Sequence, residues 1–418
     1  MRSRSIDVFR HASLLLPFLL ALSLAPTHAF EWGSLDVHGF ISQGYLKSSH
    51  NNYLARTEDG TTEFNEAALT VSTELTDKLR VGMQILARDL GDAGDNKVDL
   101  DWGYGDYRWR DALGVRIGKV KRPMGLFNEG RDMDLLRTSI LLPQSVYRED
   151  MRDISNAAKG GAIYGTIPIG RLGSFDYQHV YGSKDIDLES KALRKQLIDR
   201  FPGVDPGDIR IDIRYTDTTY VLWRTPLNGL RLAGSYEIGE IDVDSSPVAA
   251  VATNTDGVVI PAQPARELVI KLKRVWAASA EYRWQDLTLA AEYLDTLQSF
   301  SLDSGPHGST RQETHSQGYY GLIAYRFAPR LEAGAYYGIY YPYRGDKHGH
   351  DLAAAGIPDF LAWQKDACLT FRFDPVPGWI IKLEGHRING AAQVFDYDDP
   401  RELEKVWNLF AAKITYNF

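Results

Sequence analysis

Between Arg122 and Lys159 the sequence sets the guanidiniums Arg131, Arg137, Arg148 and Arg152 among the carboxylates Glu129, Asp132, Asp134, Glu149, Asp150 and Asp153. Fixed charges at this density can sort small ions by sign. Covalent chemistry has less to work with. The His residues include His179, His315 and His386, but no G-x-S-x-G elbow is present and no Ser/His/Asp set assembles from spacing. Two clusters carry metal-ligand types. Asp346, His348, His350 and Asp351 join an H-x-H pair to carboxylates, and Asp92, Asp95, Asn96, Asp99 and Asp101 offer oxygens suited to calcium. The first is a short polar tract of the kind water solvates, and the second misses the EF-hand spacing. No metal and no cofactor is expected.

The elements that must position these charges are strands. In the final stretch, Glu404 to Phe418, the alternate residues Phe410, Ala412, Ile414, Tyr416 and Phe418 are apolar or small, while Lys413, Thr415 and Asn417 lie between them. A period of two is a strand with one apolar and one polar face. The same reading gives sixteen strands in all. Their connections alternate between short ones, such as Thr76-Asp77-Lys78 and Ala328-Pro329, and longer ones. The longer ones are Leu46 to Thr62, Gly91 to Asn96, Arg122 to Lys159, Ser183 to Asp212, Val243 to Ala265, Ser301 to Gln312, Pro342 to Leu361 and Gly390 to Leu403.

That sorting of loops predicts the fold class: all-β, a transmembrane antiparallel β-barrel of about 16 strands, with short periplasmic turns and long outer loops. A sandwich or propeller has no reason to sort its loops this way. The N-terminus agrees. Arg2, Arg4 and Arg10 precede the apolar run Ala12 to Ala25 and the small residues ending at Ala29, the order of a secretory signal peptide cut after residue 29. Residues 30–418 then form one barrel domain in the outer membrane of a Gram-negative bacterium. The 23 Tyr and 9 Trp suit its interfacial girdles. A net charge of −8 argues against a nucleic-acid partner, and the single cysteine, Cys368, excludes an internal disulfide.

A carboxyl-terminal Phe418 two residues after Tyr416 resembles the closing strand of bacterial outer-membrane barrels, which implies recognition by the barrel-assembly machinery. The run R-I-G-K-V-K-R-P-M-G-L, Arg116 to Leu126, with the apolar and Pro-containing segment up to Tyr147, resembles the phosphate-selective porin O/P group of the bacterial porins. The resemblance implies a homotrimer in outer-membrane lipid whose third outer loop folds into the lumen. Carried over, residues 122–159 are the constriction loop, with Arg122, Arg131, Asp132, Asp134, Arg137, Arg148, Glu149 and Arg152 at the constriction. Acids there are as plentiful as bases, unlike an anion-only pattern. Independently, Leu135, Leu136, Ile140, Leu141 and Leu142 would be odd on a free outer loop and predict packing against the wall.

A barrel of this size leaves a water channel that side chains cannot fill, so the apolar strand faces meet lipid and the polar faces line a pore. The alternation puts Arg80, Arg88, Arg116, Arg214, Arg231, Lys271, Lys273, Arg283, Arg326, Arg372, Lys382 and Lys413 inside. Glu74, Glu237, Glu281, Glu292, Glu332, Asp366 and Glu384 join them. Arg274 falls on the lipid side of the same register. The wall is thus cationic, and the expected function is a porin for small hydrophilic solutes with a mild preference for anions. The competing readings are a lipid hydrolase and a non-conducting receptor or adhesin. The latter would use its loops and the amphipathic stretch Leu188 to Phe201.

Overall fold

Alternation decides which medium each strand face meets, and in the computed structural model the apolar faces are the exposed ones. Val81, Met83, Ile85, Phe410, Ile414 and Tyr416 are exposed, while Gln84, Arg88, Lys413 and Thr415 between them are buried. That is the reverse of a soluble protein and the arrangement lipid requires. The structure describes residues 35–91, 93–186, 209–245, 251–252, 259–260, 266–303, 308–395, 397 and 399–418. The expected signal peptide and the stretch Leu188 to Phe201 lie outside them.

The strands are β1 (Leu35–Ser48), β2 (Asn65–Thr76), β3 (Leu79–Leu90), β4 (Ala93–Arg110), β5 (Leu113–Lys121), β6 (Ala157–Pro168), β7 (Ser174–Ile186), β8 (Ile209–Arg224) and β9 (Leu230–Ser245). After a separate two-stranded ribbon, β10 (Val251–Ala252) and β11 (Val259–Ile260), come β12 (Arg266–Trp284), β13 (Leu287–Asp303), β14 (Ser309–Ala328), β15 (Leu331–Tyr341), β16 (Gln364–Phe373), β17 (Trp379–Gly390) and β18 (Val406–Asn417). Leaving the ribbon aside, sixteen strands pair in sequence order, and β18 returns to β1 to close the barrel. The seam is antiparallel, with Phe40 opposite Asn417, and Gly39 and Phe418 exchange both backbone hydrogen bonds at 3.0 Å. A Cβ on Gly39 would press into the Phe418 ring and lie 2.7 Å from the Ala68 carbonyl oxygen, so only glycine fits this closure.

One expected outer loop is not a loop. β3 and β4 are joined across Gly91 and residue 92, with Leu90 opposite Ala93. Gly91 and Gly94 both take positive φ, at 57° and 88°, and the Asp89 carboxylate accepts the Gly91 N–H at 3.0 Å, so the chain reverses at once. Asp99 and Asp101 are therefore strand residues, paired with Lys119 and Lys121 at 3.2 Å each, and do not form the acidic loop cluster read from the sequence. Asp92 and the Asp95 side chain lie outside the described part.

Candidate functional site

The interior is occupied by the segment between β5 and β6, residues 122–156, and its contacts show how it is held. At its start the Arg122 guanidinium meets Glu237 of β9 at 2.8 Å and the Thr216 hydroxyl of β8 at 3.0 Å. Lys121 holds Asp132 at 2.6 Å, and Arg152 reaches the same carboxylate. Further along, the Leu126 N–H (2.9 Å) and the Tyr147 hydroxyl (2.5 Å) donate to Glu292 of β13, which also accepts from Tyr320 and Ser279. At the far wall the N–H groups of Ile140 and Leu141 donate to Glu384 of β17, at 2.6 and 3.1 Å. Asp134 accepts from Lys413 (2.8 Å) and the Thr415 hydroxyl (2.7 Å), and stands 3.5 Å from Lys382. The Arg372 guanidinium donates to the Leu135 carbonyl at 2.8 Å. Ile140 and Leu141 are buried with Leu46, Ile388, Trp407 and Leu409, and Leu142 with Tyr147 and Tyr320, the packing their apolar character predicts, but Leu135 and Leu136 stay more than half exposed and do not pack as expected.

The remaining segment residues form a network of their own. Arg131 meets Glu149 at 2.9 Å, and Arg88 of β3 meets Glu149 (3.3 Å) and Asp153 (3.1 Å). Arg148 pairs with Asp150 and lies over the Tyr340 and Phe395 rings. Arg137 donates to the carbonyls of Ser139 and Ile140 and stands 3.5 Å from Asp134. Burial alone would raise the Glu149 and Asp132 carboxyls, but the surrounding cations overcome it. Arg131 and Arg88 bring Glu149 down to about 2, and Arg152 and Lys121 hold Asp132 well below the ordinary range.

The wall residues fall into three groups. Arg88, Arg372, Lys382, Lys413 and Glu384 are spent on the segment. Arg80, Arg116, Arg231, Arg283 and Arg326 face inward without touching it in this way. Arg80 donates to the Ser72 hydroxyl at 2.7 Å. Arg116 pairs with Asp106 at 3.0 Å between the rings of Tyr104 (5.2 Å) and Tyr164 (4.3 Å). Arg231 and Arg283 share the buried carboxylate of Glu281, and Arg326 meets Glu332 at 2.8 Å. Arg214, Lys271 and Lys273 correct the sequence reading, because they face outward. Bulges between Ile213 and Tyr215 and between Leu272 and Arg274 reverse the faces above them. Apolar Ile211, Ile213, Ile241, Val243 and Leu268 take the inner side there, packed on Ile154. Arg214 instead meets Glu240 and Asp242, both at 2.6 Å, Lys271 meets Glu240 at 2.9 Å, and Lys273 meets Glu313.

The chemical alternatives are also placed. Asp346 accepts the N–H groups of His350 (2.8 Å) and Asp351 (2.9 Å), so it caps the short helix α1 (His350–Ala354). His179 lies beside the Thr219 hydroxyl (3.0 Å) and Asp217 (3.6 Å), but both approach the same ring nitrogen, Nδ1, which leaves no Asp–His–hydroxyl relay. Cys368, Glu384 and His386 gather within 4.8 Å, a cluster the sequence did not suggest. Both ring nitrogens of His386 are already engaged, by Asp366 at 3.0 Å and Glu384 at 2.9 Å. Sequence reasoning also missed Glu292 as an anchor, although the preceding alternation puts it inside.

No protein-family model matches the chain, and no curated protein matches it. Solved structures do. The outer-membrane channel DcaP of Acinetobacter baumannii aligns over 94% of this chain and 100% of its own, with 11% identity and a TM-score of 0.53. OmpF of Salmonella typhi, solved as a complex with daunomycin, covers 92% and 97% at 14% identity and 0.52. The anion-selective porin from Comamonas acidovorans covers 92% and 99% at 11% identity and 0.51. At such identities the shared property is the fold: this chain is a sixteen-stranded β-barrel of the Gram-negative outer membrane.

Proposed function

We propose that the chain is a porin, passing small hydrophilic solutes by diffusion through a charged constriction made by residues 122–156. The observation that carries this reading is the docking of that segment, by buried charges, onto the polar inner wall of a closed barrel. A receptor that used only its outer loops would have no need of such an interior, and a hydrolase would need a relay that His179 does not supply. The resemblance of the strand-to-loop motif to the porin O/P group and the porin-type fold support the same conclusion. No cofactor enters the mechanism, which is electrostatic and steric.

Selectivity rests on the inward charges that the segment leaves over. Two guanidiniums, Arg231 and Arg283, share Glu281, and Arg80 donates to the Ser72 hydroxyl. This favours a mild preference for anions. A phosphate ladder is a different matter. Lys119 and Lys121, the lysines of the resembling motif, are bound to Asp99 and Asp132, so the reading stops at small anions in general. The working state is a homotrimer in outer-membrane lipid, with Phe418 as the segment met by the barrel-assembly machinery.

The test is single-channel recording in a planar bilayer under a salt gradient. Openings in steps of three and an anion-selective reversal potential are expected, and the double variant R231Q/R283Q should move the reversal toward cations. Folded, heat-modifiable protein without conductance would overturn the porin reading.

A further inference from the structure

The outward face of β14 reads Arg311, Glu313, His315, Gln317, Tyr319, Gly321, Ile323, Tyr325, Phe327 from the long-loop end to the short-turn end. It passes from charge through a ring to apolar residues and a second ring layer. His315 and Phe327 are twelve positions apart. At ~3.3 Å per residue that is about 40 Å of strand, or about 30 Å along the membrane normal at the usual tilt. The lipid-facing apolar band of such barrels is ~25 Å tall. His315 therefore stands at the headgroup level of the outer leaflet, just above the rings of Trp276, Tyr293 and Tyr319, which lie 5.0 and 6.3 Å apart in succession.

The charges at this level are unbalanced. The Asp295 carboxylate is fully covered and meets His315 (2.9 Å), Arg344 (3.0 Å) and Arg274 (3.3 Å). Glu313 is shared by Lys273 and, at 3.8 Å, by Arg311. Among the described residues, Asp295 and Glu313 thus serve the guanidiniums of Arg274, Arg344 and Arg311, the Lys273 ammonium and the His315 imidazole. The Arg274 Nε is shielded from water and has no acceptor, while roughly half of the Arg344 side chain stays exposed. The neighbouring outward group is different, for Arg214 and Lys271 there meet two carboxylates, Glu240 and Asp242. The positive excess belongs to the patch around Asp295.

We propose that this patch binds a phosphate group of an outer-leaflet lipid headgroup. Guanidiniums bind phosphate through paired, charge-assisted hydrogen bonds, and Arg274 and Arg344 are positioned by one shared carboxylate to offer them. The ring layer beneath would lie along the upper part of the lipid. A lipid phosphate is delivered at this height on the membrane face and is held there by its acyl chains, which a free anion lacks. The inference requires the outer-membrane location and is independent of conduction.

The experiment is native mass spectrometry of the folded barrel in detergent, titrated with bisphosphorylated lipid A, with its dephosphorylated form, and with inorganic phosphate as competitor. One retained lipid A is expected, with affinity reduced about tenfold or more in R274Q/R344Q and unchanged in R214Q/K271Q. Equal retention of the dephosphorylated form, or an unaffected R274Q/R344Q variant, would overturn the proposal. Displacement by equimolar inorganic phosphate would also overturn it, by making this a free-anion site. If R274Q does not yield the heat-modifiable band, R344Q alone decides, since Arg344 lies beyond the last residue of β15.

Discussion

Asp134 is the carboxylate on which the far end of the inner segment depends, and D134N tests whether that end is a docked gate. The side chain is fully buried and lies 2.8 Å from the Lys413 ammonium and 3.5 Å from both Lys382 and Arg137. Asn keeps the size and can still accept from the Thr415 hydroxyl, now at 2.7 Å, so the change is one of charge. Lys413 retains Glu66 at 2.5 Å, but Lys382 keeps only carbonyl acceptors on the segment itself. Removing one partner of a buried ion pair costs about 3–5 kcal/mol. At 1.4 kcal/mol per decade, a loss of about 4 kcal/mol shifts the docked-to-undocked equilibrium by roughly a thousandfold. The barrel's strand pairing is untouched, so the loss falls on the segment and not on the fold. Single-channel records of D134N should show flicker to a higher conductance that wild type lacks, with heat-modifiability intact. Adding K382M should remove the orphaned charge and suppress much of the flicker. Conductance and noise indistinguishable from wild type would refute the docking argument.

Acid should release the same segment. Burial raises Glu149 and Asp153, but Arg131 with Arg88, and Arg88 with Arg152, bring each down to about 2. Groups depressed on folding stabilise fully above their ordinary values, about 4 for carboxyls, and the contribution disappears as pH falls through the folded value. Conductance noise should therefore rise between about pH 4 and pH 2 and stay flat from about pH 8 to 5, which pH-stepped bilayer recordings would read. At the seam, G39A should lower the heat-modifiable fraction, because the added methyl meets the Ala68 carbonyl as well as the Phe418 ring. An unchanged fraction on a semi-native gel would show that the closure tolerates a Cβ.

Strand number, closure and lipid-facing sides were legible because lipid enforces a strict period of two wherever a strand crosses it. Phe410, Ile414 and Tyr416 have no other medium to meet. Above the apolar band that constraint ends, and there the sequence misled. The bulges beside Ile213 and Leu272 reverse the faces, and nothing in the local residue types marks them, because charged and apolar residues alternate on either side. Arg214, Lys271 and Lys273 went to the wrong side for this reason. The apolar residues of segment 122–156 announced an inward packing, but its partners Glu292, Glu384 and Lys382 are more than a hundred residues away, and pairing over such separations leaves no local trace.

The docking also changes what the inner charges mean. A census of the wall gives a cationic pore, yet Arg88, Arg372, Lys382 and Lys413 are bound to carboxylates or carbonyls of the segment and have little field left for a passing ion. A cation neutralised at contact distance contributes only a dipole beyond it, and salt screens the remainder within about 10 Å. The sign of selectivity is then set by charges the segment does not use: Arg231 and Arg283 around Glu281, Arg80, and Arg116 between Tyr104 and Tyr164. Undocking frees anchors as well as space. The state that conducts more should also select anions more strongly, because Lys382 regains its full charge when the segment leaves, while Arg372 keeps Asp374 at 2.8 Å. Conductance and selectivity would be independent if the segment were only a steric plug; here they are coupled through Lys382 and Arg88, whose carboxylate partners lie on the segment.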